Sequence, residues 1–214
     1  MKSQIRKWLA CAEFQKIIDV SLERRRTIHS LIVLTYDSDP LLRWRSIDAI
    51  GRCAANLYAS RPEALKNTLR RLFWSMSDES GAIAWHAPEA IGEIIRSHPP
   101  TFADFIPMTI ALFDLEPEDR PPFLPGILYA LGRIGKLAPE TVETGLPAII
   151  QALAERDSQT RGMAVWCLGQ IGEIAILNEH AELEQDRGKT LLYYNEQLLE
   201  TTVGKVWDET IKTY

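Results

Sequence analysis

One short pattern recurs four times and limits what this chain can fold into. The segments SIDAIG, APEAIG, LYALG and VWCLG end on Gly51, Gly92, Gly132 and Gly169, which lie 41, 40 and 37 residues apart. Each glycine falls late in an amphipathic helical pattern. Each such pattern is preceded, one loop earlier, by another: residues 62–76, 102–113 and 142–155, and for the first repeat a segment within 22–35. A unit of about 40 residues made of two helices cannot bury its apolar face alone, so the units must stack on one another. The recurring glycine has a packing reason, because a residue without a side chain lets a neighbouring helix come close.

The connections agree with this division. DSDP (37–40), SDES (77–80) and RDSQ (156–159) separate the paired helices, and their Asp and Ser side chains suit the free amides at a helix start. Pro62, Pro99, Pro100, Pro121, Pro122 and Pro139 fall between helices or in first turns, where a missing amide costs nothing. Strand signals are absent until TLLYYNEQLLETTVG (190–204), which reads as a β-hairpin turning at Asn195-Glu196, with helix throughout 180–212 as the alternative. A last helix is expected from about Thr202, carrying Val203, Val206, Trp207 and Ile211. One extra helix is expected over residues 3–20. The chain thus divides into a cap (1–24), four repeats (25–178) and a second cap (179–214).

The fold class that follows is all-α, an α-solenoid with a small β-hairpin near its C-terminus. DPLLRWRSIDAIGRCAA (39–55) and DSQTRGMAVWCLGQIG (157–172) resemble HEAT repeats, in the short HEAT-like variety also found in phycobilisome lyases. The resemblance covers about residues 25 to 178. It implies that the second helix of each pair lines a concave face.

Aligning those second helices on their glycines brings out one stripe. Seven residues before the glycine lie Trp44, Trp85, Pro125 and Gly162; three before it Asp48, Glu89, Tyr129 and Trp166; one after it Arg52, Glu93, Arg133 and Gln170. The spacing i, i+4, i+8 puts these on one helix face, away from the core positions Ile50, Ile91, Leu131 and Leu168. If the stripe faces the groove, Trp44, Asp48, Arg52, Trp85, Glu89, Glu93, Tyr129, Arg133, Trp166 and Gln170 form either a partner-binding surface or a ladder of charges between repeats. The ladder reading uses the sign order Arg52, Glu93, Arg133. On the binding reading, Glu89 and Glu93 project into the groove and their loss leaves folding unchanged. Pro88 is expected to kink a helix that begins near Ser80.

Chemistry is harder to find. No phosphate-loop, dinucleotide, zinc-protease or serine-hydrolase motif occurs, and no cofactor is expected. His86, Glu89 and Glu93 are the only metal-like grouping, and no metal site is assigned to them. Some HEAT-like proteins are enzymes. The deoxyhypusine hydroxylases carry His-Glu dipeptides, and this chain has none. DNA-glycosylase-like or bilin-lyase-like activity around Trp85, Glu89 and Glu93 remains the alternative to a protein-binding adaptor or assembly factor. The net charge of −5 argues against nucleic acid as the main partner, and the basic run Glu23-Arg24-Arg25-Arg26 reads as a solvated helix face or turn rather than a binding arm. No stretch is apolar enough for a membrane span. Cys11, Cys53 and Cys167 are spaced as buried thiols, and the chain is expected to be cytoplasmic.

Overall fold

The computed structural model of the chain describes residues 1–76, 86–115 and 120–213. The chain opens with α1 (Lys2–Ala10) and α2 (Phe14–Glu23). Four pairs follow: α3 (Thr27–Leu34) with α4 (Pro40–Leu57), α5 (Pro62–Met76) with α6 (Ala87–Ser97), α7 (Ile106–Ile110) with α8 (Leu124–Gly135), and α9 (Leu146–Gln151) with α10 (Ser158–Ile171). After α11 (Ile174–Glu179) come an antiparallel hairpin, β1 (Lys189–Tyr194) and β2 (Gln197–Thr202), and α12 (Val203–Thr213). The even-numbered helices α2 to α12 pack each on the next in one continuous row. This is an α-solenoid. Among the described residues no helix is long and apolar enough to cross a membrane.

The row is held by the glycine register. Ile50, Ile91, Leu131 and Leu168, each next to a repeat glycine, are fully buried, worth about 1.5–3 kcal/mol apiece. The glycines themselves face the next helix of the row. A Cβ on Gly92 would stand 2.7 Å from the Ala130 Cβ, and one on Gly132 would stand 2.6 Å from the Trp166 ring. One on Gly169 would overlap Thr210 of α12, so the register runs past the fourth pair into the last helix. Two of the expected caps are formed: Asp39 accepts from the Leu41 amide at 2.9 Å, and Asp157 from the Thr160 amide at 2.9 Å. The SDES turn lies outside the described residues.

Several expectations are corrected. The N-terminal segment is two helices rather than one, broken at Ala12, whose φ of 54° is left-handed. Cys11 sits at that break and is exposed, while Cys53 and Cys167 are buried. The first helices of the third and fourth repeats are not continuous. They run as 3-10 turns around the short α7 and α9. Pro107 and Pro147 sit just inside those two helices, and each removes an amide that a longer α-helix would need. Pro88 does not kink a helix either. It lies in the first turn of α6, two residues after His86, whose φ of 64° is left-handed and not helical; the expected helix start near Ser80 falls outside the described residues.

The C-terminal segment is a hairpin, with Asn195 and Glu196 at its tip. Their φ values of 47° and 62° are those of a tight two-residue turn. β1 lies on α10. Thr190 is buried against Gly162, and Gln159 grips the Leu191 backbone twice, accepting from its amide at 2.7 Å and donating to its carbonyl at 2.9 Å.

Candidate functional site

The face of the even-numbered row is concave. Trp44 of α4 and Tyr129 of α8 belong to helices two places apart, yet their rings meet edge-on at 5.1 Å. Tyr129 stacks on Trp166 of α10 at 5.4 Å, and Trp44 stacks on Tyr193 of the hairpin at 5.7 Å. Such ring pairs add about 0.5–1.5 kcal/mol each beyond area burial. Four rings from three helices and a strand therefore form one wall.

Beside that wall lies a cleft of about 510 Å³, lined by Asp48 and Arg52 from α4, Arg96 from α6, Tyr129 and Arg133 from α8, Trp166 and Gln170 from α10, Lys136, and hairpin residues 193–196. The hairpin crosses to the first repeat. The Glu196 carboxylate accepts from Arg52 Nη2 at 2.7 Å, and its main-chain carbonyl accepts from Arg45 Nε at 3.1 Å. Arg45 also donates to the Leu9 and Ala10 carbonyls at the end of α1, at 2.9 and 2.8 Å. Both carbonyls lie in the last turn of α1, where the helix offers no further amide; that of Leu9 also accepts from the Ala12 amide at 3.1 Å.

The charges on this face are arranged in two groups. Arg52 donates to both Asp48 oxygens, at 3.0 and 2.8 Å, and lies 3.9 Å above the Phe14 ring. Burial works against its charge, but Asp48 and Glu196 more than offset this and raise its pKa. The Tyr193 hydroxyl donates to Asp48 at 3.1 Å; burial and then the Asp48 charge keep it protonated far above its ordinary range. In the second group Glu93 is fully buried. It accepts from Arg96 Nε at 2.7 Å, Arg133 Nε at 2.8 Å and the Tyr129 hydroxyl at 2.8 Å. Burial, then the Glu93 charge, holds the Tyr129 proton in place. Burial opposes the Arg133 charge, and Glu93 outweighs it.

Of the ten stripe residues, Asp48, Arg52, Tyr129, Arg133, Trp166 and Gln170 meet around the cleft. Trp44 supports its wall from behind. Trp85 lies outside the described residues. Glu89 and Glu93 do not project into open space as expected. Glu89 is buried over Gly126, with Oε1 2.9 Å from His86 Nδ1. Glu93 pairs across to Arg133, as a ladder requires, but Arg52 turns to Asp48 and Glu196 instead of Glu93. Two functional candidates were missed. Arg96 and Lys136 each stand four residues after their repeat glycine, so one further turn along the same stripe would have found them. The hairpin residues carry no such signal, because their approach depends on contacts about 150 positions away in sequence.

No protein-family model matches the chain. A protein of Archaeoglobus fulgidus, described only as uncharacterized, is 31% identical over 148 residues, spanning 67% of this chain and 73% of that one. The chain belongs to the same family as that protein. Among solved structures, a designed armadillo repeat protein superposes with a TM-score of 0.51 at 17% identity, covering 99% of this chain and 92% of its own. A second, solved in complex with the peptide (KR)4, gives 0.50 at 15% identity, covering 98% and 97%. At that identity the likeness is one of fold: the chain folds as an armadillo-like stack of helical repeats. The resemblance to the phycobilisome-lyase variety rests on the sequence motifs alone.

Proposed function

We propose that the protein is a binding scaffold whose concave face takes up an extended segment of another protein. The observation that carries this reading is the hairpin. On this face Gln159 and Ser158 hold the extended backbone of β1 through the Leu191 amide and the Leu191 and Lys189 carbonyls, and Arg45 holds the Glu196 carbonyl of the turn, so the surface has the chemistry to grip a chain whatever its side chains. The aromatic wall adds contact area at little entropic cost. The peptide complex of the designed armadillo protein is consistent with such a use of the fold. An enzyme built on Trp85, Glu89 and Glu93 has less support, since Glu93 has both oxygens occupied and no exposure. Adaptor or assembly roles both fit a scaffold without chemistry of its own, working in the cytoplasm.

The test is site-specific photo-crosslinking in a lysate of the native host. A photoreactive residue at Gln170, on the cleft, should capture a protein partner that the same residue at Asn67, on the outer helix α5, does not. Equal capture from both positions would defeat the concave-face reading.

A further inference from the structure

The cleft holds more positive charge at one corner than its own pairs consume. Arg96 and Arg133 approach Glu93 from α6 and α8, and each uses its Nε alone. Among the described residues the Nη groups of both guanidinium ions donate no hydrogen bond. Lys136, three residues beyond Arg133 and exposed, forms no ion pair with any described residue. Two of these three cations thus share a single carboxylate, and the third has none among the described residues. The opposite wall is different, because Arg52 there faces both Asp48 and Glu196. The buried Glu93 fixes the two arginines by one edge and leaves the outer edge of each fork free. That is the geometry in which a guanidinium receives a second carboxylate end-on, through its two Nη groups.

We propose that this corner receives an acidic segment of the partner protein, whose Asp or Glu carboxylates take the free Nη groups of Arg96 and Arg133 and the Lys136 ammonium. The inference rests on the peptide-binding reading above and adds the sign of the peptide. Around the corner, Trp166, Gln170 and Tyr194 offer ring faces and an amide to the rest of such a segment. A cleft of about 510 Å³ is of ligand-pocket size, and the hairpin closes one side of it. A nucleic-acid duplex does not fit such a space, whereas a short acidic chain does. The net charge of −5 opposes either polyanion at long range, so the attraction is local to the three cations of this corner.

The experiment is fluorescence anisotropy on the full chain, with three labelled probes: a Glu-rich octapeptide, a Lys/Arg octapeptide and a single-stranded DNA octamer. The Glu-rich peptide should bind, and added salt should weaken it. Lys136→Glu should reduce its affinity by about tenfold or more, with an unchanged circular-dichroism melting curve. If the Lys/Arg peptide binds instead, the acidic preference is wrong while peptide binding stands. If neither peptide binds at millimolar concentration, both readings fall. Tighter binding of the DNA octamer than of the Glu-rich peptide overturns the proposal in favour of nucleic acid. Equal binding of the Glu-rich peptide to Lys136→Glu overturns it by placing the contact elsewhere.

Discussion

Gly51 and Gly92 hold the same place in consecutive repeats, and what rests on them differs. Gly92 admits the Ala130 backbone of the next helix, whereas Gly51 admits the Glu93 carboxylate. The same Ala-Ile-Gly signal therefore does two jobs. At one step it lets two helices touch. At the other it opens a space between helices, and a charged network fills that space. The first contact is rigid, since no side chain can retreat from it. The second is held by three hydrogen bonds to one residue, and can be edited from either side.

The largest effect is expected at the rigid contact. Gly92→Leu must push α6 and α8 apart, at a cost of about 3 kcal/mol, read as a lower urea midpoint. An unchanged midpoint would mean that the two helices do not meet there. A smaller effect should follow at the charged step. Glu93→Gln leaves two arginines without their shared carboxylate, and because both reach solvent the cost should be about 2 kcal/mol. Gly51→Ala should destabilise by a similar amount in the parent protein and by much less in a Glu93→Ala background, a coupling of about 1–2 kcal/mol. If the two changes add instead, the carboxylate is not what Gly51 accommodates.

The smallest effect supplies a baseline for both. Arg161 donates to Asp186 at 2.7 Å and holds its carboxyl below the ordinary 3.8. A carboxylate depressed in the folded state contributes stability that is fully present above its unfolded pKa. That stability is lost as pH falls below about 3.8 through the folded value. With solvent screening it amounts to about 0.5 kcal/mol. Acid titration of urea midpoints should show the same loss in the parent and in Gly51→Ala. A larger loss in the variant would mean that damage at the first repeat reaches the base of the hairpin.

The repeat division was legible because glycine spacing and apolar period report on the same stack. So were Asp39 and Asp157 as caps, since capping is local. The hairpin turn was legible for the same reason: Asn195-Glu196 sits between two β-branched and aromatic runs. The burial of Glu93 was not. A carboxylate at a stripe position reads as solvent-facing until Arg96, Arg133 and Tyr129 are known to converge on it, and two of those come from the next repeat. The broken first helices of the third and fourth repeats were misread for a different reason. Apolar periodicity continues through Pro107 and Pro147 while the hydrogen-bond ladder does not.

The hairpin tip changes how the whole chain must fold. A stack held only by neighbours can form from any point and can lose one end while keeping the rest. Here the Glu196 carbonyl meets Arg45 across 151 positions, and its carboxylate meets Arg52 across 144. The hairpin thereby completes the first repeat and ties the two ends of the array together. Its folding should then be slower than the local helix pairs alone would allow, since the closure entropy of a 151-residue span comes due before those contacts form. Its unfolding should correspondingly couple the first repeat to the hairpin, so that the two lose their structure together.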